Sequence, residues 1–240
     1  MSVDIVDRGE EGLKRLKTHS YRLILCDIMM PGVDGFRFLG EAFVLGIFTP
    51  IVMTTGYATV ENAVRSLTCG AADFIAKPFT ADELLTVVRR GLKYFKLQRE
   101  AFAAAGPGRR ASLAYVPCPP RYYRLGYVSW AEEERTGTVV MGLSDLFLKT
   151  IEGLEGLELL KIDDEAVQGT SCASVAAAGG ARHPVMCPVG GRILEVNAEA
   201  VSDPSIVEKD PYFKGWLYRV LPSDLQNDLK RLISCSSDRM

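Results

Sequence analysis

The strongest constraint on the fold is a change of pattern close to the middle of the chain. Residues 1–100 alternate short apolar runs with amphipathic stretches, whereas residues 121–240 carry frequent turn signals with short apolar runs between them. The segment AFAAAGPGRRASLAYVPCPP at 101–120 is rich in Gly, Pro and Ala and keeps no period. A length of 240 residues suits one large or two small domains. The sequence therefore predicts two domains, 1–100 and 121–240, joined by a linker at 101–120.

The first domain has the pattern of alternating strands and helices. Strand-like apolar runs lie at 21–26, 50–54 and 72–76, and a helical pattern follows each of them. Before the last helical pattern, at 80–95, Thr80 and Glu83 have the spacing of a capping box. Alternation of this kind predicts βα units, in which helices cover both faces of a parallel sheet.

Each strand-like run is followed by a side chain suited to phosphoryl transfer. These residues are Asp27, Thr55 and Lys77. Because the carboxyl ends of parallel strands meet at one edge of a sheet, we expect the three side chains to converge there. A carboxylate can attack phosphorus, an ammonium can balance the charge on the phosphoryl oxygens, and a hydroxyl can hydrogen-bond the product. Any one of them alone could be an ordinary polar residue at a strand end.

The second domain has the pattern of a small β-rich fold. Its short apolar runs lie at 138–143, 157–160, 185–189 and 193–196, and turn-forming residues separate them. A final polar and apolar segment at 225–233 predicts a closing helix.

Charge and hydropathy exclude several classes of protein. With 28 Lys+Arg against 30 Asp+Glu, the net charge is -2, so no strong positive field exists to collect nucleic-acid phosphates. Apolar stretches such as 42–48 fall well short of the ~20 residues that span a bilayer. The acidic start, MSVDIVDRGEE, has no apolar core of signal-peptide length. We therefore expect a cytoplasmic protein that binds neither nucleic acid nor membrane.

Cysteine and histidine usage argues against disulfides and zinc. The six cysteines are widely spaced and form no CxxC pair, which is typical of reduced, mostly buried thiols. The only two histidines, His19 and His183, have no second ligand at local metal-binding spacing.

Three segments of the first domain resemble the receiver domain of bacterial response regulators, over about residues 3–95. They are LILCDIMMPGVDGF, PIVMTTGYATVENAV and GAADFIAKPF. The resemblance implies that Asp27 is the phosphoacceptor, charged by a histidine kinase or a phosphotransfer protein. It also implies that Thr55 is the switch hydroxyl, Lys77 the phosphate-pairing lysine and Phe74 the aromatic switch. The backbone carbonyl of Met29 would join Asp27 in binding Mg²⁺, and the Lys77–Pro78 bond would be cis.

The first domain departs from the family at its start. The segment VDIVDRGEEGLKRL aligns best with the family's second strand and second helix, so the first strand, its Mg²⁺-binding acidic pair and the first helix are missing. The predicted fold is thus an N-terminally truncated, flavodoxin-like parallel sheet whose exposed strands lack a shared neighbour. Three explanations stay open: the sequence starts late, a partner chain supplies the strand, or the receiver is degenerate and takes no phosphate.

The second domain resembles the H protein of the glycine cleavage system, over about residues 123–232. The segments TGTVVMGLSDLF and CPVGGRILEVNAEAVSDPSIVEKDPYFKGWLYRVLPSD carry this resemblance. It implies a β-rich barrel-sandwich domain related to lipoyl and biotinyl carriers, in which a lysine at a hairpin tip holds the lipoyl arm. The corresponding stretch, SCASVAAAGGARHPVM at 171–186, contains no lysine. We therefore expect no lipoyl group.

The two resemblances together imply a bacterial two-component response regulator that is not an enzyme. Its H-protein-like domain would act by contact with an unidentified protein partner, because no helix-turn-helix pattern or basic recognition helix follows the receiver. A homodimer is also compatible with the sequence. The alternatives are an interaction scaffold that takes no phosphate and a carrier of glycine cleavage or lipoate metabolism, which the missing lysine disfavours.

Overall fold

The computed structural model describes residues 2–104 and 114–236. The chain separates into two compact units, Met1–Lys96 and Leu97–Met240, and each is considered by itself below. Within the described residues, no helix combines the length and the apolar character that crossing a bilayer requires.

The first unit is built around a three-stranded parallel sheet with the order β1-β2-β3. This is the receiver-like α/β fold that the sequence predicts. Its elements are α1 (Gly9–Leu16), β1 (Ile24–Asp27), α2 (Gly35–Val44), β2 (Ile51–Thr55), α3 (Val60–Thr68), β3 (Asp73–Ala76) and α4 (Ala81–Ala104).

Short polar side chains fix where the helices begin. Asp34 accepts a hydrogen bond from the backbone N of Arg37 at the start of α2. The predicted capping box is present before α4, where Thr80 N donates to Glu83 Oε2 at 2.7 Å and Glu83 N donates to Thr80 Oγ1 at 3.2 Å. Since α4 runs to Ala104, the first four residues of the predicted linker are helical. Residues 105–113 of that segment lie outside the described residues.

Two apolar clusters hold the sheet of the first unit. One joins α1 and α2 to one face and contains Leu13, Phe38 and Met53. The other joins α4 to the opposite face and contains Val52 and Val87. Helices therefore cover both faces, as the alternation predicts.

The β1 strand forms the border of this sheet. Among the described residues it pairs with β2 alone, and residues 3–6 form no strand. The side chain of Leu25, in the middle of β1, is 44% exposed. The backbone groups of β1 that face away from β2 thus have no neighbouring strand in the described chain.

The second unit is a β-rich domain with two antiparallel sheets, as predicted. The larger sheet has the order β13-β4-β5-β6-β12-β11-β8 and the smaller one β10-β9-β7. The strands are β4 (Tyr123–Leu125), β5 (Ser129–Glu133), β6 (Val139–Leu143), β7 (Leu154–Leu159), β8 (Glu165–Ala166), β9 (Ser171–Ala177), β10 (Arg182–Met186), β11 (Gly191–Val196), β12 (Trp216–Pro222) and β13 (Ile233–Ser234). The helices are α5 (Asp145–Thr150), α6 (Ala198–Ser202), α7 (Ser205–Lys209) and α8 (Leu225–Lys230).

Aromatic residues fill the centre of the second unit. Trp130 is fully buried and its indole Nε1 donates to Leu143 O at 2.9 Å. Its cross-strand partner is Gly142, whose missing side chain leaves room for the ring. The predicted closing helix at 225–233 is α8, and its last residues belong to β13 instead, because Ile233 pairs with Arg124 of β4.

Candidate functional site

The carboxyl ends of the parallel strands carry the three residues that the sequence predicts there, and the side chains of two of them meet. Asp27 and Thr55 are the last residues of β1 and β2, and Lys77 directly follows β3. Lys77 Nζ donates to Asp27 Oδ2 at 2.5 Å, and Lys77 N donates to Thr55 O at 2.8 Å. Residues 50 positions apart in sequence therefore form one ion pair at this edge.

Asp27 is held in place and stays open to solvent. Its Oδ1 accepts a hydrogen bond from Met29 N at 3.1 Å, while Oδ2 bonds to Lys77. The side chain of Asp27 is 32% exposed and that of Lys77 39%. A carboxylate in this position can meet an incoming phosphoryl group, and the ammonium beside it can balance the added charge.

Thr55 supplies a buried hydroxyl at the end of β2, the strand that lies between β1 and β3. The residue is fully buried, and its Oγ1 accepts a hydrogen bond from Tyr57 N at 3.1 Å. Because Oγ1 acts as an acceptor in this bond, its own hydrogen can still be donated. The hydroxyl is therefore suited to bond an oxygen that arrives at the sheet edge.

Phe74 lies one residue inside β3 and packs, partly buried, against the cluster that contains Met53. Its backbone N donates to Asp73 Oδ1 at 2.9 Å. The second oxygen of Asp73 accepts from Arg90 Nε of α4 at 2.9 Å, and both side chains of this ion pair are buried. Phe74 and α4 are thus joined through one carboxylate.

The pair of Asp73 and Arg90 is a feature that sequence reasoning missed. The sequence does contain a signal for this pair, because Asp73 lies within an apolar strand and Arg90 lies within an apolar helical face. Charged residues are rarely fully buried without a partner, so two such positions in neighbouring elements indicate an ion pair.

The described residues do not provide a preformed magnesium site around Asp27. Both of its oxygens already accept hydrogen bonds, one of them from an ammonium. No group of three or more His, Cys, Asp or Glu side chains that could hold a metal occurs within residues 2–104 and 114–236. Mg²⁺ prefers one or two carboxylates with waters and phosphate. Asp27 would supply one carboxylate and Met29 a backbone carbonyl to such an ion, and Lys77 shares the Asp27 carboxylate. The Lys77–Pro78 bond is cis.

In the second unit, the hairpin of β9 and β10 carries no amine at its tip. The tip is a 3₁₀ turn at Ala178–Gly180, and both Gly179 and Gly180 have φ +81°. All residues of 171–186 are described, and none is a lysine. The nucleophile that a lipoyl arm requires is therefore absent from this hairpin.

Comparison with known families assigns both units. The family of response regulator receiver domains matches residues 1–89, and the family of glycine cleavage H-proteins matches residues 121–238. The fold and the sheet-edge residues thus define a receiver domain followed by a β-rich carrier-type domain. The chain contains a response regulator receiver domain and a glycine cleavage H-protein domain, as both resemblances predict.

The relatives found by sequence are response regulators that match the first unit. The regulatory protein AtoC of Escherichia coli (strain K12) is 42% identical over 32% of this chain and 17% of its own length. The transcriptional regulatory protein DltR of Streptococcus agalactiae is 41% identical over 37% of this chain and 39% of its own length. The cell cycle response regulator CtrA of Brucella ovis is 38% identical over 37% of this chain and 40% of its own length. The chain therefore spans less than half of each relative.

Solved structures resemble each unit separately. A glycine cleavage system H protein from Mycobacterium marinum is 26% identical, with a TM-score of 0.45, over 50% of this chain and 94% of that protein. The receiver domain of the Francisella response regulator 1452 is 34% identical, with a TM-score of 0.35, over 36% of this chain and 71% of that domain.

Proposed function

We propose that this protein is a two-component response regulator in which Asp27 accepts a phosphoryl group from a histidine kinase or a phosphotransfer protein. The observation that carries the proposal is the ion pair between Asp27 Oδ2 and Lys77 Nζ, at 2.5 Å, with the buried Thr55 at the end of the intervening strand. The relatives of the first unit are response regulators, which supports this role.

The chemical step needs one nucleophile and one charge partner from this chain. A carboxylate oxygen of Asp27 attacks phosphorus, and the bond between phosphorus and the donor atom breaks as the acyl phosphate forms. The donor leaves with the electron pair of the broken bond. Lys77 then balances the charge on a phosphoryl oxygen, and the hydroxyl of Thr55 donates its hydrogen to another.

The connection from Phe74 to α4 offers a route for the signal. When Thr55 moves toward the phosphoryl group, Phe74 turns inward and the face formed by α4 and β3 changes. Because Asp73 bonds both Phe74 N and Arg90, a shift at this part of β3 also reaches α4. This coupling is the physical reason to expect a change of binding surface after phosphorylation.

The second unit acts through protein contact in this proposal. Its hairpin lacks a lysine, so neither a lipoyl group nor glycine-cleavage carrier chemistry is expected. Both matched families are non-catalytic, which is the reason to propose a protein without enzymatic activity. A cytoplasmic location, an unidentified protein partner and a homodimer complete the proposal, with no binding to nucleic acid or membrane.

A phosphorylation assay tests the role of Asp27. The full chain is incubated with acetyl phosphate and Mg²⁺, and intact mass is measured at once. We expect a gain of one phosphoryl group that is lost in Asp27→Asn and retained in Asp7→Asn, a matched change of an exposed aspartate in the same unit. Absence of an Asp27-dependent gain would favour the alternative, an interaction scaffold that takes no phosphate.

A second mass measurement tests the carrier alternative. The full chain is incubated with lipoate, ATP and a lipoate ligase. We expect no gain on residues 171–186, because that stretch offers no amine. A stable lipoyl adduct on the second unit would support the alternative that the protein is a carrier of glycine cleavage or lipoate metabolism.

A further inference from the structure

Two of the six cysteines lie together at the base of the β9–β10 hairpin. In this hairpin Ser171 pairs with Met186 and Ala173 with Val185, and the register shifts between these pairs. Cys172 lies in β9 at this shift. Cys187 directly follows β10, and its backbone N donates to Thr170 O at 2.8 Å. The two cysteines are therefore neighbours across paired backbone segments, although 15 positions separate them in sequence.

The side chains of the two cysteines also meet. Cys172 is 4% exposed and Cys187 is fully buried, and the Cys187 thiol is near enough to act on the pKa of Cys172. Each thiol donates its hydrogen to a backbone carbonyl, Cys172 Sγ to Val185 O at 3.6 Å and Cys187 Sγ to Val189 O at 3.0 Å. The neighbouring thiol and burial raise the pKa of Cys172 well above its ordinary value. Cys172 is thus a weak nucleophile at neutral pH, and an exchange reaction that begins there is slow.

We infer that Cys172 and Cys187 form a buried dithiol which a low-molecular-weight disulfide, such as oxidised glutathione, converts to a disulfide across the base of the hairpin. This inference does not depend on the proposed phosphoryl transfer. It rests on the strand register that makes the two residues neighbours and on the burial of both thiols. The other four cysteines play no part in it.

The exchange balances in two steps. The thiol of Cys172, the less buried of the two, loses a proton and attacks one sulfur of oxidised glutathione. This forms a mixed disulfide and releases one glutathione thiolate. Cys187 then loses its proton and displaces the second glutathione from Cys172. In sum two thiols are oxidised by two electrons, one disulfide is reduced to two glutathione thiols, and the two protons are passed to them.

The new bond would close a ring that contains the whole hairpin. Residues 172–187 include β10 and the tip at Ala178–Gly180. At the base, Tyr218 of β12 already donates from its hydroxyl to Cys172 O at 2.6 Å, which ties β9 to the larger sheet. A disulfide here restricts the unfolded chain, so oxidation should raise the melting temperature of the second unit.

Trypsin digestion gives a direct test, because Arg182 lies between the two cysteines. Cleavage after Lys161, Arg182 and Arg192 places Cys172 in peptide 162–182 and Cys187 in peptide 183–192, with no other cysteine in either. The reduced full chain is incubated with oxidised glutathione, blocked with an alkylating reagent under denaturing conditions and digested without reductant. We expect the two peptides to run as one cross-linked species that reductant separates.

Substitutions provide the controls. Cys172→Ala and Cys187→Ala should each abolish the cross-link, whereas Cys69→Ala, a change of an exposed cysteine in the other unit, should leave it intact. The digest of the wild-type protein tests the inference by itself, so the result does not depend on whether the variants fold. The inference is wrong if both peptides are recovered alkylated and unlinked after oxidation of the folded protein, or if either cysteine links to a different cysteine.

Discussion

At the scale of single residues, the candidate site depends on one charge contact. Lys77 reaches Asp27 from the end of a strand that is not adjacent to β1, across the end of β2. The side chains of Lys77 and Asp27 are 39% and 32% exposed, so water screens their attraction. The pair therefore adds little to folding, roughly 0–1 kcal/mol by comparison with other exposed pairs. Its value lies in placing an ammonium where negative charge develops.

Replacing that ammonium should affect phosphorylation more than stability. In Lys77→Gln the phosphoryl oxygens lose their charge partner, and we expect the rate of Asp27 phosphorylation to fall by roughly 10²-fold. The melting temperature should stay within a few degrees of wild type. Initial rates from intact mass check this, with Lys14→Gln, an exposed lysine on α1, as the matched control. An unchanged rate in Lys77→Gln would mean that Lys77 does not contact the phosphoryl group.

A second residue-scale prediction concerns the glycine beneath Trp130. A Cβ at Gly142 would lie 2.5 Å from the Trp130 ring, and the ring is fully buried and cannot move aside freely. We expect Gly142→Ala to destabilise the second unit by about 1–3 kcal/mol. Gly156→Ala is the control, because its Cβ would make ordinary contact with Ala176 at 3.8 Å. Thermal unfolding followed by tryptophan fluorescence should separate the two variants, and equal melting temperatures would contradict the packing argument.

At the scale of elements, the buried ion pair of Asp73 and Arg90 connects β3 to α4. Removing one partner leaves an uncompensated charge in an apolar region, whereas replacing both partners by apolar residues leaves no buried charge. We expect Arg90→Met to cost about 3–5 kcal/mol of unfolding free energy in the first unit. Denaturant unfolding measures this loss, and the double variant Asp73→Leu with Arg90→Met should recover part of it.

The neighbouring arginine supplies the control for this prediction. Arg89 lies on the exposed side of α4, so Arg89→Met should change stability little. A loss in Arg90→Met no larger than that in Arg89→Met would show that the ion pair is not needed to hold α4 on the sheet.

The start of α4 should respond to pH. Hydrogen bonds from the backbone N and the hydroxyl of Thr80 lower the pKa of Glu83 below its ordinary value. Because the folded pKa is the lower one, the capping contribution is complete above the unfolded pKa of about 4.3 and is lost as pH falls through the folded value.

This dependence can be followed at the residue itself. An NMR titration of the Glu83 carboxyl carbon should give a midpoint below the ordinary glutamate value of about 4.3. In Glu83→Gln, which keeps the capping pattern without a titrating group, the pH dependence of the first turn of α4 should disappear. A midpoint at or above that ordinary value would contradict the capping contact.

At the scale of the whole molecule, phosphorylation of Asp27 should change how the protein associates with a second copy or with a partner protein. If the face of α4 and β3 is the output surface of the first unit, its rearrangement alters contact with a second copy or with a partner protein. We expect the sedimentation coefficient of the full chain to shift after treatment with acetyl phosphate and Mg²⁺, and the shift to be absent in Asp27→Asn. If wild type and Asp27→Asn sediment alike under these conditions, self-association is not the output, and the homodimer is excluded as the response.

Periodicity and strand-end chemistry were enough to predict the architecture of both units and the meeting of Asp27 with Lys77. Both follow from local rules, since parallel strands end at one edge whatever their side chains are. The contact of Asp73 with Arg90 and that of Cys172 with Cys187 could not be predicted, because they depend on which faces of distant elements pack together. The same holds for β13, where Ile233 pairs with β4 although its local pattern favours helix.

The unpaired border of β1 has a practical consequence. Its amide and carbonyl groups that face away from β2 have no strand partner within residues 2–104 and 114–236, and the exposed Leu25 lies beside them. Any extended peptide that passes by can continue the ladder there, and so can another molecule of the same protein. The protein should consequently aggregate as its concentration rises, unless another strand pairs with this edge of β1 first.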